Sequence, residues 1–275
     1  MTVTETRAAS PDGDRPSSLL AAAAQVPLYA EPDCRPQQVL EQVRGWAARL
    51  RVRLAQDASP FARLRLLNHF FFGELGFTGA GDDYQSVCNS YLHRVIERRR
   101  GIPVTLSILY MELGKAAGLK LQGVSFPGHF LVRLRLNDGT VFIDVFGGGA
   151  TLSTEDLRQR LRATLPGEAD PPLAPYLRAA TDQEILARLL RNLKAIHWQA
   201  RQWPAALAVV DRLVALLPDA AQERLDRAQL YERLECPRAA VADLLAYLSL
   251  SAAPADAAEV NQRLARLRQA ASRLH

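Results

Sequence analysis

The chain has 275 residues, 48% hydrophobic and 23% charged, which suits one large or two modest globular domains and excludes a disordered, collagen-like or disulfide-dense chain. No apolar run reaches the roughly 18 residues that a membrane-spanning helix needs. The net charge of +5 and pI near 9.4 come from basic residues that are almost all Arg and are interspersed with acids, so nucleic acid is not an expected partner. In chain order, residues 1–18 are rich in Thr, Ser, Pro, Asp and Gly and are expected to be a disordered tail. Leu19 to Ala24 is too short, and lacks the basic start, for a secretion signal. Residues 36–56 have helical spacing through Val39, Leu40, Val43, Trp46, Ala47 and Leu50. Residues 60–75 follow, with Phe61, Leu64, Leu67, Phe70 and Phe71 on one stripe, and Gly76 and Gly79-Ala80-Gly81-Asp82 end them. Residues 88–98 resume the period with Leu92, Val95 and Ile96. Gly101-Ile102-Pro103 opens another helix, since Pro suits the first helical position. That helix runs through Leu106, Leu109, Tyr110 and Leu113 to a stop at Gly118.

The period then changes to two. Leu121 to Phe126 reads as a strand, and so do residues 130–136 (Phe130, Val132, Leu134, Leu136) and 141–146 (Val141, Ile143, Val145). Asn137-Asp138-Gly139 is a hairpin signal, and Gly147-Gly148-Gly149 is expected to end the sheet. Ser153 or Thr154 should cap a short helix to Leu165. Together 19–165 form the expected core domain. The Pro- and acid-rich stretch 166–180 marks a linker. Residues 181–275 read as helices with a period of 34, since Ala205-Ala206-Leu207 recurs as Ala239-Ala240-Val241. A 34-residue helical pair is the tetratricopeptide signature. Trp198 and Tyr231 sit one position out of that phase, and a plain helical bundle is the competing reading.

The three cysteines, Cys34, Cys88 and Cys236, have no zinc-like spacing, and an odd count argues against a disulfide framework. The expected compartment is the reducing cytoplasm. No metal or cofactor is expected. Gly147-Gly148-Gly149 does not fit a phosphate loop, and His69, His93, His197 and His275 have no metal-like spacing.

Chemistry concentrates in residues 89–150. A His129 oriented by an Asp144 on a neighbouring strand is two-thirds of a nucleophile-His-Asp triad. Folded at Asp138-Gly139, a straight hairpin would set Asp144 opposite Arg133, four residues and about 13 Å from His129, so a bulge would be needed to join them. Ser107 and Thr105, in the first turns after Pro103, and Cys88 are the candidate nucleophiles. Each has a plainer reading: helix-start hydrogen bonding for the hydroxyls and a small buried apolar residue for the thiol. Asn89 reads as a helix cap and Arg98-Arg99-Arg100 as a solvated helix end.

Four motifs in this region carry a family resemblance: Asn89-Ser90-Tyr91-Leu92, Arg100-Gly101-Ile102-Pro103 with Leu106-Ser107, Phe126-Pro127-Gly128-His129-Phe130-Leu131-Val132-Arg133, and Ile143-Asp144 followed by glycines. The chain resembles the bacterial SirB-like branch of the transglutaminase-like superfamily. The resemblance covers about residues 35–165 well and the helical tail more loosely. It implies an α+β fold: a degenerate, papain-like core with a small antiparallel sheet, followed by tetratricopeptide-like helices. It also implies that His129 and Asp144 match the catalytic His and Asp of the superfamily. Active members open the helix with a Cys, and counting back from Gly118 puts Pro103 in its place. The resemblance therefore implies a degenerate site in a protein-binding scaffold or regulator, with a protein or peptide partner held by the repeats. The alternative is a hydrolase or acyltransferase on amide bonds with a displaced nucleophile.

Overall fold

The computed structural model describes residues 18–137, 139–165, 171–251 and 255–272. The expected disordered tail lies outside the described residues, apart from Ser18, and so do Asp138 of the hairpin signal and the first part of the expected linker. Contacts divide the chain into two units. One holds residues 34–84 and 88–185 with the N-terminal residues. The other holds 26–33, 85–87 and 186–275.

In the first unit, short helix α1 (Ser18–Ala24) and α2 (Pro36–Arg51) precede α3 (Pro60–Asn68). The expected second helix changes character at His69. Residues His69–Glu74 form a wider π-helical turn, which buries both Phe70 and Phe71. Two-residue strands β1 (Thr78–Gly79) and β2 (Arg100–Gly101) pair in parallel, with α4 (Leu92–Arg98) between them. Next comes α5 (Pro103–Ala116), opened by Pro103 as expected. Its first eight residues, Pro103 to Tyr110, are all buried, the mark of a helix enclosed on all sides. Gly114 lets Leu121 approach so closely that a Cβ there would lie 2.3 Å from Leu121 Cδ1.

The sheet is antiparallel, in the order β3 (Leu121–Val124), β4 (Leu131–Leu136), β5 (Gly139–Asp144), β6 (Ala150–Leu152). Gly147-Gly148-Gly149 does not end it. Gly148 and Gly149 take positive φ of 77° and 81°, which turns the chain tightly enough for β6 to return along β5. Helix α6 (Thr154–Thr164) begins with a reciprocal cap between Ser153 and Asp156. Its Leu157 and Leu161 pack with Val124, Phe126 and Leu131. Leu173, Tyr176 and Leu177 cover the same cluster, and the Ala180 N–H donates to the Gly123 carbonyl at 2.8 Å.

The second unit is helical: the later part of α7 (Asp182–Gln199), then α8 (Trp203–Leu216), α9 (Ala221–Arg233), α10 (Pro237–Leu250) and α11 (Ala257–Ser272). Helices α8 and α10 start and end 34 residues apart. The turns before them repeat to the atom: Gln202 N–H donates to the His197 carbonyl and Cys236 N–H to the Tyr231 carbonyl, at 2.9 and 2.8 Å. Arg201 and Glu235 both take φ of 56°. The partner of Tyr231 in the repeat is therefore His197, and the phase slip at Trp198 disappears. Among the described residues no helix is long and apolar enough to cross a membrane.

Candidate functional site

The ends of β4 and β5 decide whether His129 and Asp144 meet. The register pairs Leu136 with Gly139, Arg133 with Phe142 and Val132 with Ile143. Asp144 is therefore next to Leu131, not opposite Arg133, because the ladder closes on Leu136 and Gly139, one residue earlier on β4 than the straight hairpin places it. His129 is then only two residues beyond that position, just before β4 begins, and its side chain reaches the carboxylate without a bulge. His129 leaves the Pro127-Gly128 turn, where Gly128 has φ of 67° and the His129 N–H donates to the Phe126 carbonyl.

His129 Nε2 and Asp144 Oδ1 are 2.8 Å apart. The Gly147 N–H donates to the same oxygen at 2.9 Å, and Arg160 of α6 reaches Asp144 Oδ2 at 2.8 Å. Burial pushes the Asp144 carboxyl up, but the His129 hydrogen bond, the Gly147 N–H and Arg160 outweigh it and hold the group down at about 2. An ionised carboxylate only accepts, so Nε2 is the donor. A neutral imidazole in this pair keeps its lone pair on Nδ1, which makes no hydrogen bond among the described residues. A Cβ on Gly147 would lie 2.9 Å from Asp144 Oδ2, so a glycine at 147 leaves the carboxylate its place. The turn is also fixed to α5, since Asn68 donates to the Gly149 carbonyl and accepts from the Tyr110 hydroxyl.

Phe146 stands edge-on to the imidazole, with centroids 6.0 Å apart. It packs flat over Gly79, where a Cβ would lie 2.8 Å from the ring, and touches the exposed Tyr84.

The candidate nucleophiles lie elsewhere in the bonding. Thr105 Oγ1 is buried and faces the Asn89 and Ile102 carbonyls at 2.9 and 3.1 Å. Ser107 Oγ is buried with no hydrogen-bond partner among the described residues. Cys88 is half-buried and interacts with Arg98. None of the three is among the described partners of His129. Asn89 is not a helix cap, since Tyr91 holds that position on α4. Asn89 donates to the Asp83 carbonyl and accepts from Arg98 instead. Arg99 departs from the solvated reading as well. Its guanidinium lies over Trp46 and Phe77, 4.6 and 5.1 Å from the ring centres. Sequence reasoning missed Arg160 and Gly147. The signal for Arg160 was its place beside the Leu157–Leu161 stripe, on the flank of the face that α6 turns to the sheet.

Among the described residues no group of three or more His, Cys, Asp or Glu is placed to hold a metal ion. A model of the transglutaminase-like superfamily core matches residues 37–191. The chain belongs to the transglutaminase-like superfamily. A tetratricopeptide-repeat model matches residues 193–265 of this transglutaminase-like protein. It is 40% identical to a UPF0162 protein of Xylella fastidiosa over 190 residues, 68% of each chain. It is 34% identical to a UPF0162 protein of Pseudomonas aeruginosa over 94% of this chain and 92% of the relative. Protein SirB1 of Salmonella typhimurium is 27% identical over 77% and 78%. No solved structure matches the chain.

Proposed function

We propose that this transglutaminase-like protein is a non-catalytic scaffold or regulator, in which the His129–Asp144 pair shapes a binding pocket and the helical repeats hold a protein or peptide. The observation that carries this reading is the start of α5. Pro103 opens that helix; the family resemblance implies that active members place their thiol at this position, and proline offers neither nucleophile nor N–H. The nearby hydroxyls support the same reading: Thr105 is committed to backbone carbonyls and Ser107 is enclosed. Stacked helical repeats present extended surfaces suited to protein partners.

The test is an acyl-transfer and hydrolysis assay on the full chain, with a glutamine-containing peptide and a primary amine. Amine incorporation and amide release should equal those of His129→Ala. A rate above that variant would overturn the scaffold reading in favour of a hydrolase or acyltransferase. Cys88→Ser, Thr105→Ala and Ser107→Ala would then identify the nucleophile.

A further inference from the structure

A second thiol–imidazole pair lies outside this site. Cys34 Sγ is 3.4 Å from His93 Nδ1, within reach of proton transfer between sulfur and nitrogen. Cys34 comes one residue before the Arg35 cap of α2, a 16-residue helix. The partial positive charge of a helix N-terminus and an adjacent imidazolium each lower a thiol's pKa. The fully buried Tyr91 stacks on the His93 ring at 11° and fixes its plane. Both members of the pair are half-buried rather than enclosed in the core.

The other cysteines separate these contributions. Cys236 is itself the cap of a proline-started helix, α10, and is exposed. Its described contact is the Leu234 carbonyl, with no imidazole. Cys88 lies beside the Arg98 guanidinium. Only Cys34, among the described residues, combines a helix N-terminus with a histidine.

We propose that Cys34 is an activated thiolate and the site at which this protein is modified by low-molecular-weight disulfides. His93 Nδ1 takes the thiol proton. The Cys34 sulfur then attacks one sulfur of the disulfide, and the old S–S bond breaks as the new one forms. The departing thiolate takes the proton back from His93. Cys34 is oxidised to the mixed disulfide, and the small disulfide, which is the oxidant, is reduced to one free thiol.

The test uses the full chain, a short pulse of iodoacetamide at neutral pH, and peptide mass spectrometry of all three cysteines. A thiol with an ordinary pKa is only a few per cent thiolate at pH 7, so activation raises the rate up to about tenfold. Cys34 should react faster than the more exposed Cys236, and faster folded than in guanidinium. His93→Gln should remove most of that advantage while the Cys236 rate stays put. Oxidised glutathione should cap Cys34 first. The proposal fails if Cys236 or Cys88 outpaces Cys34, if His93→Gln leaves the Cys34 rate unchanged, or if glutathione leaves Cys34 uncapped. The native-to-denatured comparison needs no variant. A Cys34 that reacts more slowly folded than unfolded overturns the idea even if His93→Gln does not fold.

Discussion

Asp144 shows how much one residue's surroundings decide. Its carboxylate is almost fully buried yet held near 2 by three donors. A carboxyl whose folded pKa lies below its unfolded value stabilises the fold above the unfolded pKa, near 4, and loses that contribution as pH falls toward 2. The difference amounts to about 2 kcal/mol. Asp144→Asn should therefore unfold at lower urea concentration at pH 7, by about that free energy. Between pH 4 and 2 the wild type should lose this margin over the variant, which is read from urea midpoints across the range. Gly147→Ala places a methyl 2.9 Å from the Asp144 oxygen and should cost about 1–3 kcal/mol in the same measurement. The identities of His129 and Asp144 were legible as candidates because few residue types do proton chemistry. Arg160 and the Gly147 N–H were not, since a guanidinium and a peptide N–H occur everywhere and gain meaning only from placement.

At the scale of elements, the tight turns between helices carry an avoidable cost. Arg201 and Glu235 are exposed and adopt left-handed backbone, which disfavours any residue with a Cβ by about 1–2 kcal/mol. Glycine loses part of that gain to its freer unfolded chain. Arg201→Gly and Glu235→Gly should each stabilise the protein by roughly 0.5–1 kcal/mol, seen as a raised thermal midpoint. At Arg99 the backbone is the same (φ 57°), but the side chain lies on Trp46 and Phe77, so Arg99→Gly should lower the midpoint instead. The repeats are also tied by internal charges. Glu223, 2% exposed, accepts from Arg191 and Lys194, and Asp243 accepts from Arg227. Glu223→Gln removes the buried carboxylate charge that Arg191 and Lys194 share, while Lys194 keeps Asp226, and should destabilise α7 and α9 by about 1–2 kcal/mol, visible as faster amide exchange there. The alternation and capping signals revealed where the strands and helices lie. They did not settle the β4–β5 register, because two neighbouring two-residue turns both fit Asn137-Asp138-Gly139.

For the whole molecule, the positive charge has an internal use. Arg and Lys side chains are repeatedly matched to carboxylates within each unit, as Arg160 is to Asp144 and Arg227 to Asp211 and Asp243. Each such pair neutralises a positive charge that could otherwise displace counterions from a phosphate backbone. Generic duplex DNA should therefore give no mobility shift at about 0.15 M salt.

The sequence by itself determined the order of architecture, a mixed α+β core followed by 34-residue helical repeats, because periodicity and chain punctuation are local properties. It also determined that a proline opens α5. Only the tertiary structure decided that His129 and Asp144 touch, that Arg160 and Gly147 complete the carboxylate's partners, and that Cys34 faces His93. Apart from the local Gly147 bond, those contacts join residues 15 to 59 positions apart. Their distances depend on strand register and on the packing of helices between them, and neither is encoded in any one stretch of chain.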